Sequence, residues 1–225
     1  MNRYIKNQNM LSAVENQSLR NFRVAVVGCG GLGGYLIEML ARLGVGHITA
    51  IDGDVFDVSN LNRQLLALPG NIGKSKAMEA KERVLAVNPE ISVNPVSSFL
   101  TKENAGEILG RHHVICDALD NITARLMLQE AAESLSIPLV HAAIAGWYAQ
   151  VCTVMPGDKT LNRIYPEDLS RGEEAELGNP SFTPGLAASV QVSEVLKILI
   201  GRGSLLRNKL LVINTLDNHY FAIDV

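Results

Sequence analysis

Gly28-Cys29-Gly30-Gly31-Leu32-Gly33 follows an apolar run, Val24 to Val27, and opens an amphipathic segment. Small residues at such a turn let the backbone approach phosphates. The N-terminus of the following helix aims amides and a partial positive charge at them. A second apolar run ends in Ile51-Asp52, where the acid of such units hydrogen-bonds a ribose hydroxyl. This pattern serves NAD, FAD and ATP alike, so by itself it fixes only a nucleotide. The glycines alone would also suit plain helix–strand packing.

Arg63 narrows the chemistry. A guanidinium about ten residues past the ribose-binding acid reaches a phosphate chain with bidentate geometry, and Asn60 and Gln64 add neutral donors beside it. Gly73-Lys74-Ser75-Lys76 opens the next helix. Lys76 is a candidate phosphate ligand, whereas Lys74 reads as a solvated surface residue. Hydride transfer needs a pyrophosphate held. Cations converging on phosphates instead suit phosphoryl or nucleotidyl transfer, where charge develops on them. Asp117 and Asp120 follow the fourth predicted strand, at the edge where open α/β sheets bind ligands. A carboxylate there suits Mg²⁺. Asp117 reads as structural, and Asp120 as either a ligand or a helix cap.

The elements that must position these residues alternate strand, helix, strand. That order predicts a Rossmann-like α/β fold, a mostly parallel sheet flanked by helices with an antiparallel C-terminal extension. Strands are expected at 22–27, 47–51, 91–96, 113–116, 138–141 and 150–155, and helices at 32–43, 74–87, 102–109 and 122–135. Thr183-Pro184 reads as a cap followed by proline at the first position of a helix running to Ile200, with Leu186, Val190, Val195 and Leu199 on its packing face. Lys209 to Asn214 and His219 to Ile223 read as a hairpin. Residues 1–21 read as an N-terminal helical arm. Residues 156–180, rich in proline, glycine and charge, read as a long crossover loop. All lie within one domain spanning 1–225.

Composition narrows the class further. The 225 residues are 47% hydrophobic and 19% charged, with a net charge of −3, so no broad basic field favours nucleic acid or an anionic membrane. No apolar run approaches the ~18 residues of a membrane span, and the N-terminus has no signal-like apolar region. Cys29, Cys116 and Cys152 form no CxxC pair, so reduced, buried thiols in a cytoplasmic protein are expected. His112, His113 and His141 lack metal-ligand spacing and read as satisfied strand-end residues. Trp147 suits either a ligand groove or the core.

These residues together resemble the HesA/MoeB/ThiF family, relatives of the ubiquitin-activating enzymes. The resemblance covers nearly the whole chain. It rests on the glycine loop, Asp52-Gly53-Asp54, Ser59-Asn60-Leu61-Asn62-Arg63-Gln64, Gly73-x-x-Lys76, Asp117-x-x-Asp120-Asn121 and Gln191-x-x-Glu194-x-x-Lys197. It implies an adenylyltransferase that uses Mg-ATP on the C-terminal glycine carboxylate of a ubiquitin-like sulfur carrier (ThiS- or MoaD-like), releasing pyrophosphate. The implied nucleotide site comprises Gly28, Gly30, Gly31 and Gly33 with Asp52 and Asp54. Ser59, Asn60, Asn62 and Gln64 join it, as do Asp120 and Asn121. Arg63, Lys76 and Asp120 are the implied catalytic residues, with Asp120 near Mg²⁺. A homodimer is also implied.

Three departures qualify the resemblance. The family's Arg-Tyr-x-Arg-Gln reads here as Arg3-Tyr4-Ile5-Lys6-Asn7-Gln8. In relatives the second arginine reaches the partner subunit's ATP, a task that falls here to Lys6, which lacks the planar fork, or to Arg3. The zinc-binding cysteine pairs of many relatives are absent, so no zinc is expected. The segment 156–180 carries no cysteine, so adenylation without covalent capture of the carrier is expected. Three alternatives stay open: a nucleotide-binding partner protein without adenylation, an NAD-dependent oxidoreductase, and a tRNA-modifying adenylating relative.

Overall fold

The computed structural model describes residues 3–165 and 174–225. Its centre is an eight-stranded sheet: β1 Arg23–Val27, β2 His47–Ile51, β3 Ser92–Val96, β4 Val114–Asp117, β5 Leu139–Ala145, β6 Tyr148–Val154, β7 Lys209–Asn214 and β8 His219–Asp224. The spatial order is β3-β2-β1-β4-β5-β6-β7-β8. The first five strands are parallel, and β6 to β8 add on antiparallel. β1 shows why the parallel part is apolar without alternation. Val24 and Val26 enter the core on one face, and Ala25 and Val27 that on the other, so both sides of the strand need apolar residues.

One face is covered by α2 Gly31–Leu43, α3 Lys76–Val87 and α8 Phe182–Ile200, the other by α4 Lys102–Leu109, α5 Ile122–Ser134 and the short α6 Thr160–Ile164. The N-terminal arm holds α1 Ala13–Ser18, started by a capping box between Ser12 and Glu15. α7 Glu174–Leu177 precedes α8. The residues of the expected crossover loop at 166–173 lie outside the described residues.

α8 packs against α2 and the sheet through Ala187, Ala188, Val192, Val195 and Leu199. Its buried stripe also carries polar groups that stitch it to the strands. Gln191 Nε2 donates to the carbonyls of Asp117 and Val140, at 2.9 and 3.1 Å. Glu194, buried, accepts from Thr153 Oγ1, the Leu206 amide and Lys197. The Gln-x-x-Glu-x-x-Lys spacing of this helix thus holds helix to sheet.

The structure corrects four details of the sequence reading. α8 begins at Phe182, so Thr183 is not its cap; the Thr183 hydroxyl points inward and donates to Pro180 O at 3.4 Å. Proline fits anywhere in a first turn whose amides lack intrahelical partners, so it marked the start only approximately. Leu186 and Val190, expected on the buried face, do pack against the core but are only partly buried. β5 continues four residues past His141 because it pairs with β6 through a tight hairpin at Gly146-Trp147, where Gly146 has φ +52°. Trp147 is on that turn, 46% exposed rather than in the core.

Candidate functional site

The strand order reverses between β1 and β4, and a cleft of about 290 Å³ opens there at the carboxyl ends of the strands. Crevices at this switch point are where open α/β sheets take ligands. Gly28, Gly30 and Gly31 form its floor. Gly28 sits at φ +98°, and a Cβ there would lie 2.5 Å from Ala118 O. Gly33 is not on the cleft surface; a Cβ there would lie 1.8 Å from Gly28 O, so its task is to let α2 close on β1.

Asp52 ties the strand ends together. Its Oδ2 accepts from the Cys29 amide at 2.7 Å and its Oδ1 from the Asp54 amide at 2.8 Å. Each oxygen keeps a further lone pair, and the residue lines the cleft. Cys29 beneath it is fully buried, and burial together with the Asp52 charge pushes its thiol pKa up, which removes nucleophilic character.

Lys76 opens α3 behind its Ser75 cap. Its ammonium, nearly buried, lies 3.1 Å from Asp54 Oδ2, and its amide donates to Asp54 O at 3.0 Å. Lys74 is exposed with Glu79 at 3.8 Å, a surface pair as its position suggested. Arg63 Nη1 donates to Ser59 O and to Asn62 Oδ1, both at 2.9 Å, while its stem lies beside Gly31. Asn60 shapes this loop from within: Oδ1 accepts from the Asp57 amide, and its carbonyl accepts from the amides of Arg63 and Gln64. Ser59, Asn60 and Asn62 therefore build the wall that holds Arg63, and among these loop residues only Arg63 and Gln64 line the cleft. Gln64 is buried beside Gly30, and its Oε1 has no partner among the described residues.

Asp120 is exposed and lines the cleft. Asn121, not Asp120, caps α5, accepting from the Ala124 amide at 3.0 Å. Asp117 is fully buried and bonds His141 Nδ1 at 2.6 Å. Burial holds the His141 pKa below its usual value, against the pull of Asp117. Lys6 and Arg3 are outside the cleft; Arg3 donates to Val87 O at 3.2 Å and pairs with Glu90 at 3.5 Å.

Sequence reasoning missed Ser98, Phe99 and Leu100 beyond β3, and Arg125 on α5, all of which line the cleft. Phe99 covers Gly53, where a Cβ would lie 2.7 Å from its ring. A signal for Arg125 existed. Ile122, Arg125, Leu128 and Ala132 share one helical stripe, and a charge on an apolar stripe is buried for a reason.

The ThiF family pattern matches residues 2–225. The SAMP-activating enzyme E1 of Haloferax volcanii is 35% identical over 202 residues, covering 88% of this chain and 75% of its own. The sulfur carrier protein adenylyltransferase of Thermus thermophilus is 33% identical over 218 residues, covering 93% and 80%. Among solved structures, E. coli MccB with MccA-N7isoASN superposes with a TM-score of 0.88 at 21% identity, covering 99% of this chain and 71% of that one; that likeness concerns the fold. The chain belongs to the ThiF family and is an adenylyltransferase.

Proposed function

We propose that this chain adenylates the C-terminal glycine carboxylate of a ubiquitin-like sulfur-carrier protein of the ThiS/MoaD kind, releasing pyrophosphate, in thiamine or molybdenum/tungsten cofactor biosynthesis. The convergence of Arg63, Lys76 and Asp120 on one cleft around the glycine loop carries this reading. ATP would lie with its phosphates over Gly28 to Gly31 at the start of α2, and its ribose toward Asp52. A carrier carboxylate oxygen forms a bond to the α-phosphorus as the bond to the bridging oxygen of pyrophosphate breaks. Arg63 and Lys76 stabilise the charge growing on the departing pyrophosphate, and Asp54 holds the Lys76 ammonium in position.

The residues present fit Mg²⁺ shared with a substrate. Among the described residues no cluster of three or more His, Cys, Asp or Glu could hold a metal alone. Mg²⁺ commonly binds through one or two carboxylates plus phosphate oxygens, and Asp120 is the carboxylate on the rim. When bound, the ion would neutralise charge on the phosphates. The reading includes a cytoplasmic homodimer in which Lys6 or Arg3 reaches the second subunit's nucleotide, and one adenylation domain spanning 1–225.

Exchange of labelled pyrophosphate into ATP, dependent on a carrier ending in Gly-Gly, is the expected result. ATP binding without exchange would point instead to a non-adenylating partner protein. ATP turnover dependent on tRNA would move the chain to the tRNA-modifying branch.

A further inference from the structure

Both backbone polar groups of Leu119, the residue before Asp120, are pinned by side chains. Its amide donates to Asp117 Oδ1 at 2.9 Å. Its carbonyl accepts from Arg125 Nε at 3.0 Å and Nη2 at 2.7 Å. The two pins are joined beneath the cleft. Asp117 Oδ2 meets His141 Nδ1 at 2.6 Å, and His141 Nε2 meets the Tyr165 hydroxyl at 3.0 Å. Arg125 Nη1 donates to that same hydroxyl at 3.3 Å, with its guanidinium carbon 5.7 Å from the Tyr165 ring centre. The circuit therefore closes, from the Leu119 amide through Asp117, His141, Tyr165 and Arg125 to the Leu119 carbonyl.

Donor chemistry fixes its direction. Arg125 can only donate, and Gln150 Nε2 also donates to the Tyr165 oxygen, at 2.6 Å. The tyrosine's one hydrogen therefore goes to His141 Nε2, and a neutral His141 gives its Nδ1 hydrogen to Asp117. Every group is satisfied in one arrangement, and such closed buried networks rigidify what they hold. Asp120 itself is exposed, and its carboxylate makes no hydrogen bond to the described residues. Its place on the rim is set from below.

We propose that Arg125, His141 and Tyr165 are positioning residues for Asp120, acting through the backbone of Leu119. This rests on the adenylation reading for the role of Asp120, but the geometry of the circuit stands without it. Misplacement of a reacting group by about 1 Å can cost about a hundredfold in rate, so loosening one pin should lower turnover without weakening ATP binding.

Tyr165→Phe keeps the ring and removes only the shared hydroxyl. His141→Asn retains a donor toward Asp117, and His141→Ala removes it. In carrier-dependent ATP–pyrophosphate exchange with a ubiquitin-like protein ending in Gly-Gly, Tyr165→Phe is expected to lower kcat about tenfold with KM for ATP within about twofold. His141→Ala should fall further, and His141→Asn should recover part of the loss. Residue-resolved amide hydrogen exchange gives a second readout. The Leu119 amide should exchange faster in Tyr165→Phe and His141→Ala, and approach the wild-type rate in His141→Asn. A Tyr165→Phe protein with unchanged kcat, or with an unchanged Leu119 amide, would overturn the proposal. Should the wild type itself not exchange pyrophosphate, the adenylation reading fails, and the amide data alone decide whether the circuit holds the loop.

Discussion

Asp117 ends β4 and Asp120 stands three residues further on, yet one is sealed in the sheet and the other lines the cleft. Each oxygen of the buried carboxylate has a partner, the Leu119 amide on one and His141 on the other. The exposed one has no such partners among the described residues and lines the same cleft as the glycine loop. The same residue type thus serves as scaffold where water is excluded and stays open to a ligand where it is not. Loss of the first should destabilise the protein, and loss of the second should silence it.

The largest expected effect separates these two roles. Asp117→Ala strands two buried donors, the Leu119 amide and His141 Nδ1, and is expected to cost about 3–5 kcal/mol in urea unfolding. A loss under about 1 kcal/mol would erase the contrast. Asp120→Ala should do the reverse, cutting carrier-dependent pyrophosphate exchange by a factor of about 10² or more while moving stability by no more than about 0.5 kcal/mol. Full exchange in this variant would break the mechanism. Arg63→Lys keeps the charge but loses the fork that meets Ser59 O and Asn62 Oδ1, so a drop of about tenfold in exchange is expected with unchanged unfolding.

The smallest effect is a pH slope. The folded-state pKa of His141 is lowered by burial, so the unfolded chain binds more protons near the ordinary histidine value of 6.5. The neutral ring's contribution is complete above that pH and declines as pH falls toward the folded-state value. His47 and His112 shift the same way, also through burial. His141→Asn should therefore flatten the fall of unfolding free energy below about pH 6.5, by at most one proton's worth of slope, about 1.4 kcal/mol per pH unit. An unchanged slope would mean that His141 does not carry this dependence.

The glycine loop, Asp52, Arg63 and Lys76 were legible in the sequence because each is local: a run, a spacing or a helix start names it. Asp117 was legible as structural from its place at a strand end. The meeting of Arg125, His141, Gln150 and Tyr165 was not, since they come from α5, β5, β6 and the residue after α6 and come together only through the sheet; His141 was legible only as a satisfied strand-end histidine. Asn60 was read as a donor to ligand because its type allows that. In the fold its Oδ1 accepts from the Asp57 amide, and the residue sits in the loop wall behind the cleft lining. Trp147 resisted assignment because nothing local distinguishes a hairpin turn from the start of a buried segment.

The strand order carries a consequence for how the molecule is made. β1 can pair with β2 after some fifty residues have left the ribosome, but its other edge waits for β4 at Val114–Asp117. Until then this strand keeps an open edge, the kind of surface that invites association with other chains. Joining strands so distant along the chain also demands the closure of a long loop, which slows folding. Because the cleft opens between these two strands, it is completed only when that late pairing forms. A nascent chain shorter than about half the protein therefore has the glycine loop but no site.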